Sequence, residues 1–259
     1  MRPIAIIRGA SAGFGRATAI ALARNNYDVV ITGRRSEKLE KVEEEIRSKT
    51  DADVLSLTFD IRNKKAVEDA CGKLAGKWEK VDVLVNNAGL AAGLSQIHEG
   101  NVDDWEQMID TNIKGLLYIT RLITPGMVKR EKGHIINIGS IAGKEAYENG
   151  NVYNASKFAV DGLTQAMRID LVDYGIKVSA VNPGAAETEF SLVRFKGDQE
   201  KAAQVYEGFT PLYAEDIAEA VLFVVSRPPH VNIDDLIIMP SAQARSRKIN
   251  RKKPLISES

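Results

Sequence analysis

Ile4-Ala-Ile-Ile-Arg-Gly-Ala-Ser-Ala-Gly-Phe-Gly-Arg-Ala-Thr-Ala-Ile-Ala-Leu-Ala-Arg24 joins two apolar runs of different period through Gly9, Gly13 and Gly15. The first run is short, β-branched and apolar on both faces, as a strand buried in a parallel sheet is. The second has the spacing of an amphipathic helix. Glycines at a strand-to-helix junction let the backbone turn sharply and approach a ligand. The helix N-terminus then offers N–H groups and a partial positive charge to a phosphate. Ser11, Ala12 and Phe14 sit inside that turn.

The alternation continues outward from this junction. Further strands are expected at Asp28–Thr32, Val54–Phe59, Val81–Val85, His134–Ile138, Lys177–Val181 and Leu236–Met239, after the first at Ile4–Ile7. Helical patterns lie between them at Gly13–Arg24, Ser36–Ser48, Lys64–Lys77, Asp103–Arg130, Tyr153–Asp173 and Ala214–Ser226. Strand alternating with helix predicts right-handed βαβ units. The expected fold class is therefore α/β: a single Rossmann-type, doubly wound domain around a seven-stranded parallel sheet. No repeat or low-complexity linker divides the chain. We read residues 1–244 as one domain and residues 245–259 as a basic C-terminal tail, expected to be a solvated terminus.

Composition narrows the function classes. The chain has 259 residues, 44% of them hydrophobic, which suits one large core. Thirty-five basic residues balance 35 acidic ones, so no phosphate-neutralising surface is expected and no nucleic-acid partner. The basic exceptions are Arg245, Arg247, Lys248, Arg251, Lys252 and Lys253 in the tail. No apolar run approaches the ~20 residues that cross a bilayer, and no signal-peptide core opens the chain. A cytoplasmic protein without a membrane partner is the expectation. Cys71 is alone and reads as a packing thiol. His98, His134 and His230 lack metal-ligand spacing, so no metal site is expected.

The second strand ends Ile31-Thr-Gly-Arg-Arg35. A site for NAD wants a carboxylate here to accept from the ribose 2′-hydroxyl, and none stands between Val29 and Ser36. Arg34 and Arg35 can instead pair with a 2′-phosphate, so the expected cofactor is NADP. Tyr153-Asn-Ala-Ser-Lys157 places a phenol and an amine on one face of a helix. A free Tyr has a pKa of about 10, and a nearby cation favours its phenolate. Ser140 ends the strand His-Ile-Ile-Asn-Ile-Gly-Ser thirteen residues earlier, where its hydroxyl can bond a substrate oxygen.

Gly-x-x-x-Gly-x-Gly at Gly9–Gly15, with this Ser, Tyr and Lys, resembles the short-chain dehydrogenase/reductase family. Several further positions carry the likeness: Asp60-Ile61, Asn86-Asn87-Ala88-Gly89, Asn112 in Asp-Thr-Asn-Ile-Lys-Gly, and Pro183-Gly184-Ala-Ala186-Glu-Thr188. The resemblance implies an Asn112–Ser140–Tyr153–Lys157 tetrad. Tyr153 would exchange a proton with the substrate oxygen and Ser140 would orient that oxygen. Lys157 would lower the Tyr153 pKa and hold the nicotinamide ribose, and Asn112 would hold a relay water at a helix irregularity. Hydride would pass directly to or from the nicotinamide. Asp60 and Ile61 would meet the adenine, and the other segments would line the same pocket. Arg8 departs from the pattern. The family keeps a Thr there, whose hydroxyl ties the loop to a neighbouring strand end. Arg8 either approaches a phosphate or distorts the loop.

Thr-Glu-Phe-Ser-Leu-Val-Arg-Phe-Lys-Gly-Asp (188–198) and residues 230–244 are similar to a narrower branch, NADP-dependent 3-hydroxy acid dehydrogenases. That branch acts on serine, allo-threonine and related acids such as 3-hydroxyisobutyrate. Such a substrate carries a carboxylate, and Arg194 is the candidate anchor; a surface salt bridge is its competing role. A broad carbonyl reductase or a 3-oxoacyl carrier-protein reductase is the alternative enzyme. A non-catalytic NADP sensor is the alternative from another class. The family also implies a homotetramer, assembled through the helices near Asp103–Arg130 and Tyr153–Asp173 and the C-terminal strand.

Overall fold

Short β-branched runs, apolar on both faces, assemble where both faces can be covered. In the computed structural model, which describes residues 2–251, they form a seven-stranded sheet of order β3-β2-β1-β4-β5-β6-β7, parallel at every pairing. The strands are β1 Ile4–Arg8, β2 Asp28–Gly33, β3 Val54–Thr58, β4 Val81–Asn86, β5 Gly133–Ile138, β6 Ile176–Pro183 and β7 Asp235–Ile238. The helices are α1 Gly13–Arg24, α2 Ser36–Lys49, α3 Lys64–Cys71, α4 Val102–Ile109, α5 Gly115–Arg130, α6 Asn151–Leu171, α7 Glu189–Arg194, α8 Gln199–Gln204 and α9 Ala214–Val225.

Successive strand residues point to opposite faces, and each face has its own core. Ile7, Ile31 and Val85 pack under α1, α2 and α9 with Leu22, Val42 and Val221. Ile6, Val30 and Leu84 pack under α3, α5 and α6 with Val67, Ile123 and Met167. The chain winds outward from β1 to β3, then crosses back to β4. Strand order reverses between β1 and β4, and their carboxyl ends open the crevice where such sheets bind ligands.

Two helices differ from the sequence expectation. The pattern over Lys64–Lys77 stops at Cys71, where Gly72 caps α3, and a 3₁₀ turn follows at Gly76–Glu79. The pattern over Asp103–Arg130 is broken by a π-turn at Asp110–Lys114 between α4 and α5. There Asn112 turns its amide onto the Leu90 backbone, and Arg8 donates to the Thr111 carbonyl. The short helices α7 and α8 lack any periodic signal in the sequence.

The basic stretch folds back on the domain over its described part. Arg245 pairs with Glu145 at 3.3 Å, Arg247 donates to the Glu148 carbonyl at 3.0 Å, and Arg251 lies 5.2 Å from the Phe209 ring. Lys252 and Lys253 lie outside the described residues. Among the described residues no helix is long and apolar enough to cross a membrane. Burial pushes the Cys71 thiol up to about 11, so it stays protonated at neutral pH.

Candidate active site

The crevice is a cavity of about 890 Å³ along the carboxyl ends of β1, β2, β4, β5 and β6. Its floor begins at the glycine turn. Gly9 takes φ +74°, and the amides of Gly9 and Ala10 both donate to the Thr32 carbonyl at 2.9 Å. A Cβ on Gly15 would fall 2.2 Å from the Gly9 carbonyl oxygen, so only glycine lets α1 start this close beneath the turn. Ala12, the N-cap of α1, makes no side-chain cap. The first N–H groups of α1 therefore face the cavity without a side chain across them, which fits a pyrophosphate. Asn87 stitches the loop after β4 to the turn, donating to the carbonyls of Arg8 and Gly9 at 3.1 and 3.2 Å.

Arg34 and Arg35 stand at the end of β2, half-exposed on the cavity wall. Arg35 donates to Ser11 Oγ at 3.1 Å and pairs with Glu189 at 2.9 Å. Arg34 is 3.9 Å from Asp60. Two guanidinium groups at this strand end, with no carboxylate on β2 beyond Asp28, suit a ribose 2′-phosphate. Asp60 is engaged more closely by Arg62, whose hydrogen bond holds its carboxyl below the usual range against the opposing effect of burial.

Most of the expected contacts share this one wall. Gly9, Ser11, Ala12, Gly13, Phe14, Asp60, Ile61, Asn87, Ala88, Gly89, Pro183, Gly184, Ala186 and Thr188 all line it. Three expected residues do not. Gly15 lies behind the turn, and Asn112 lies behind Leu90. Asn86 points inward, donating to Thr120 at 3.0 Å and Asn137 at 2.9 Å, so its amide is committed to the β4–β5–α5 contact.

Helix α6 presents Tyr153 and Lys157 one turn apart, 8% and 6% exposed. Ser140, just after β5, caps the next turn by accepting from the Ala142 amide at 3.1 Å and lies close enough to Tyr153 to lower its pKa. Burial, then the neighbouring Tyr147, push the Tyr153 phenol above its ordinary value. The Ser140 hydrogen bond and the Arg194 charge pull it back. Lys157, expected to lower that value, stands one turn along α6. Its Nζ donates to the Ile138 carbonyl at 3.0 Å, 6.0 Å from the Tyr153 ring centre. Burial, then the Arg8 charge, lower Lys157 to about 8, so it is still mostly protonated at neutral pH. Asn112 sits in the π-turn, the irregularity that the family resemblance implies. Its amide accepts from and donates to Leu90, both at 2.9 Å, and donates to Ser156 at 3.0 Å.

Arg194 reaches the centre from α7. Its guanidinium lies 5.4 Å from the Tyr153 ring and 5.5 Å from that of Tyr147, and it donates to the Tyr147 hydroxyl at 2.8 Å. Among the described residues no carboxylate pairs with it, which removes an intrachain salt bridge as its role. Three residues of the site gave no signal in the sequence. Tyr147 holds Arg194. Tyr206 bonds Ser191 and the Ala186 carbonyl, tying α7 to the segment after β6. Gln243 accepts from the Ala185 amide at 2.7 Å. Arg8 does not distort the turn: its side chain runs to the Thr111 carbonyl, and the Gly9 and Ala10 amides keep their bonds to Thr32.

Comparison with known proteins places these features in context. The sequence pattern of the short chain dehydrogenase family matches residues 3–198. An NADP-dependent 3-hydroxy acid dehydrogenase of Salmonella typhimurium is 48% identical over 242 residues, covering 93% of this chain and 96% of its own. One from Schizosaccharomyces pombe is 39% identical over 249 residues, covering 96% of both chains. Among solved structures, the closed form of serine dehydrogenase complexed with NADP+ superposes with a TM-score of 0.90 at 43% identity, covering 94% of this chain and 97% of that one.

Proposed function

The chain belongs to the short-chain dehydrogenase/reductase family, and on that premise we propose that it interconverts small 3-hydroxy acids and their 3-oxo acids. Its cofactor is NADP(H), the coenzyme of its relatives, and the Arg34–Arg35 pair supports it. Serine, allo-threonine and 3-hydroxyisobutyrate are the candidate substrates. The observation that carries this reading is Arg194. It is a guanidinium without a carboxylate partner, stacked 5.4 Å from the ring of the proton-carrying Tyr153. A substrate carboxylate there would sit a short carbon chain from the reacting oxygen, which matches a 3-hydroxy acid.

The turn at Gly9–Gly13 and the start of α1 would hold the pyrophosphate, and Arg34 and Arg35 the 2′-phosphate. Lys157 would hold the nicotinamide ribose. When bound, the nicotinamide supplies the hydride acceptor or donor. Ser140 orients the substrate oxygen by hydrogen bonding. Tyr153, kept protonated by burial, donates its proton to a carbonyl oxygen in reduction. In oxidation it takes the hydroxyl proton, and Ser140 and Arg194 stabilise the phenolate that this requires. Phe190 packs 5.6 Å from the Tyr153 ring, and Tyr206 ties α7 to the segment after β6 beside it.

Arg194→Ala tests the substrate assignment. KM for a 3-hydroxy acid should rise at least about 30-fold, the size of a lost charge-assisted pair. KM for a matched neutral alcohol should change little. An equal rise for both would remove Arg194 from carboxylate binding and favour a broad carbonyl reductase.

We also propose a homotetramer. Leu117 and Leu122 on α5 and Phe158 and Ile169 on α6 leave apolar surface uncovered on two adjacent helices. Light scattering should report the mass of four chains. A single-chain mass would contradict it.

A further inference from the structure

Arg8 is a buried cation that the chemistry above does not use. Its side chain is 1% exposed at the end of β1, in the wall of the cavity. One nitrogen donates to the Thr111 carbonyl, while Nε and Nη1 have no hydrogen-bond partner. No carboxylate pairs with it among the described residues. Asp110, on the π-turn, is held by Lys114 at 2.8 Å, and Asp60 by Arg62 at 2.6 Å. Lys157 comes to the same wall from α6, and its Nζ lies 3.4 Å from where a Cβ on Gly89 would stand. Arg8 lowers the Lys157 pKa through space, so the two charges are coupled. Burial lowers Arg8 itself only to about 9, so it remains a cation at neutral pH.

A charge with no counter-ion in a low-dielectric wall acts on any charge that enters the cavity. The two forms of the cofactor differ by one unit there. The oxidised nicotinamide is a cation and the reduced one is neutral. We propose that Arg8 sets the redox preference of cofactor binding, making the site favour NADPH over NADP⁺ and so making bound NADP⁺ the stronger hydride acceptor. Arg8 therefore acts on the ring electrostatically from behind the wall, as a specificity-determining residue. The inference rests on the NADP(H) reading above.

Calorimetric titration of the intact protein with NADPH and with NADP⁺ tests it without turnover. The wild type should bind NADPH about tenfold or more tightly, the scale of one charge–charge interaction across a partly screened site. Arg8→Thr and Arg8→Met, which remove the charge, should lower the ratio of the two dissociation constants at least about fivefold, and Arg8→Lys should keep it within about twofold. Equal affinities in the wild type, or an unchanged ratio in both neutral variants, would overturn the proposal. If neither neutral variant folds, the wild-type ratio decides. Binding of neither form would instead count against the NADP(H) reading itself.

Discussion

Tyr153→Phe should lower turnover by roughly 10²–10⁴-fold, the contribution of a positioned general acid or base, while leaving the dissociation constant for NADPH nearly unchanged. The substitution removes one oxygen. The ring keeps its packing against Phe190, 5.6 Å away, and its place under Arg194. The glycine turn and the Arg34–Arg35 pair, which would carry most of the cofactor's charge, are not touched. Ser140 keeps the Ala142 amide, so the turn after β5 stays in place. Single-turnover rates with saturating cofactor, beside a binding titration, separate the two effects. Retained turnover would assign the proton to another group and remove Tyr153 from the chemistry.

The second large effect falls on the cofactor. Changing Arg34 and Arg35 together to Ala should cut kcat/KM with NADPH by at least about 10²-fold, since each hydrogen bond to a charged group contributes about 1.5–3 kcal/mol and half-exposure reduces that. The value with NADH should move by only a few-fold. Arg35 also pairs with Glu189 on α7, which is shared with Lys38, so the double variant loosens a lid contact as well. Glu189→Gln provides the control. It breaks the same ion pair yet should leave the preference for NADPH intact. Equal losses with both cofactors would show that the arginines serve the lid and not the 2′-phosphate.

The parts of this site that were legible in the sequence are those set by local spacing. Gly9, Gly13 and Gly15 announce a turn because only glycine meets the backbone demands of that junction, whatever surrounds it. Tyr153 and Lys157 share a face because the helix repeat places them there. The strand ends at Arg34, Asn87, Ser140 and Pro183 come together because a parallel sheet aligns its carboxyl edges. What stayed hidden depends on partners far away in the chain. Asn86 looks like its neighbour Asn87, but Thr120 and Asn137 turn its amide inward. Lys157 donates to Ile138, and burial, then Arg8, lowers its pKa. The π-turn at Asn112, which bonds the Leu90 backbone, was implied by the family resemblance and not by any periodicity. Tyr147, Tyr206 and Gln243 enter through loops, where residue type alone does not reveal a site. The long helix expected from Lys64 ended early, at Gly72, a residue of low helix propensity.

The most direct measurement is the initial rate of NADP⁺ and NAD⁺ reduction, followed at the absorbance band of the reduced nicotinamide. The substrates are L-serine, 3-hydroxyisobutyrate and a neutral alcohol that matches the latter but lacks its carboxylate. NADP⁺ with a 3-hydroxy acid should exceed both NAD⁺ with the same acid and NADP⁺ with the neutral alcohol, each by at least about tenfold in kcat/KM, corresponding to one retained ionic contact. Equal rates with the neutral alcohol, or equal use of NAD⁺, would contradict it.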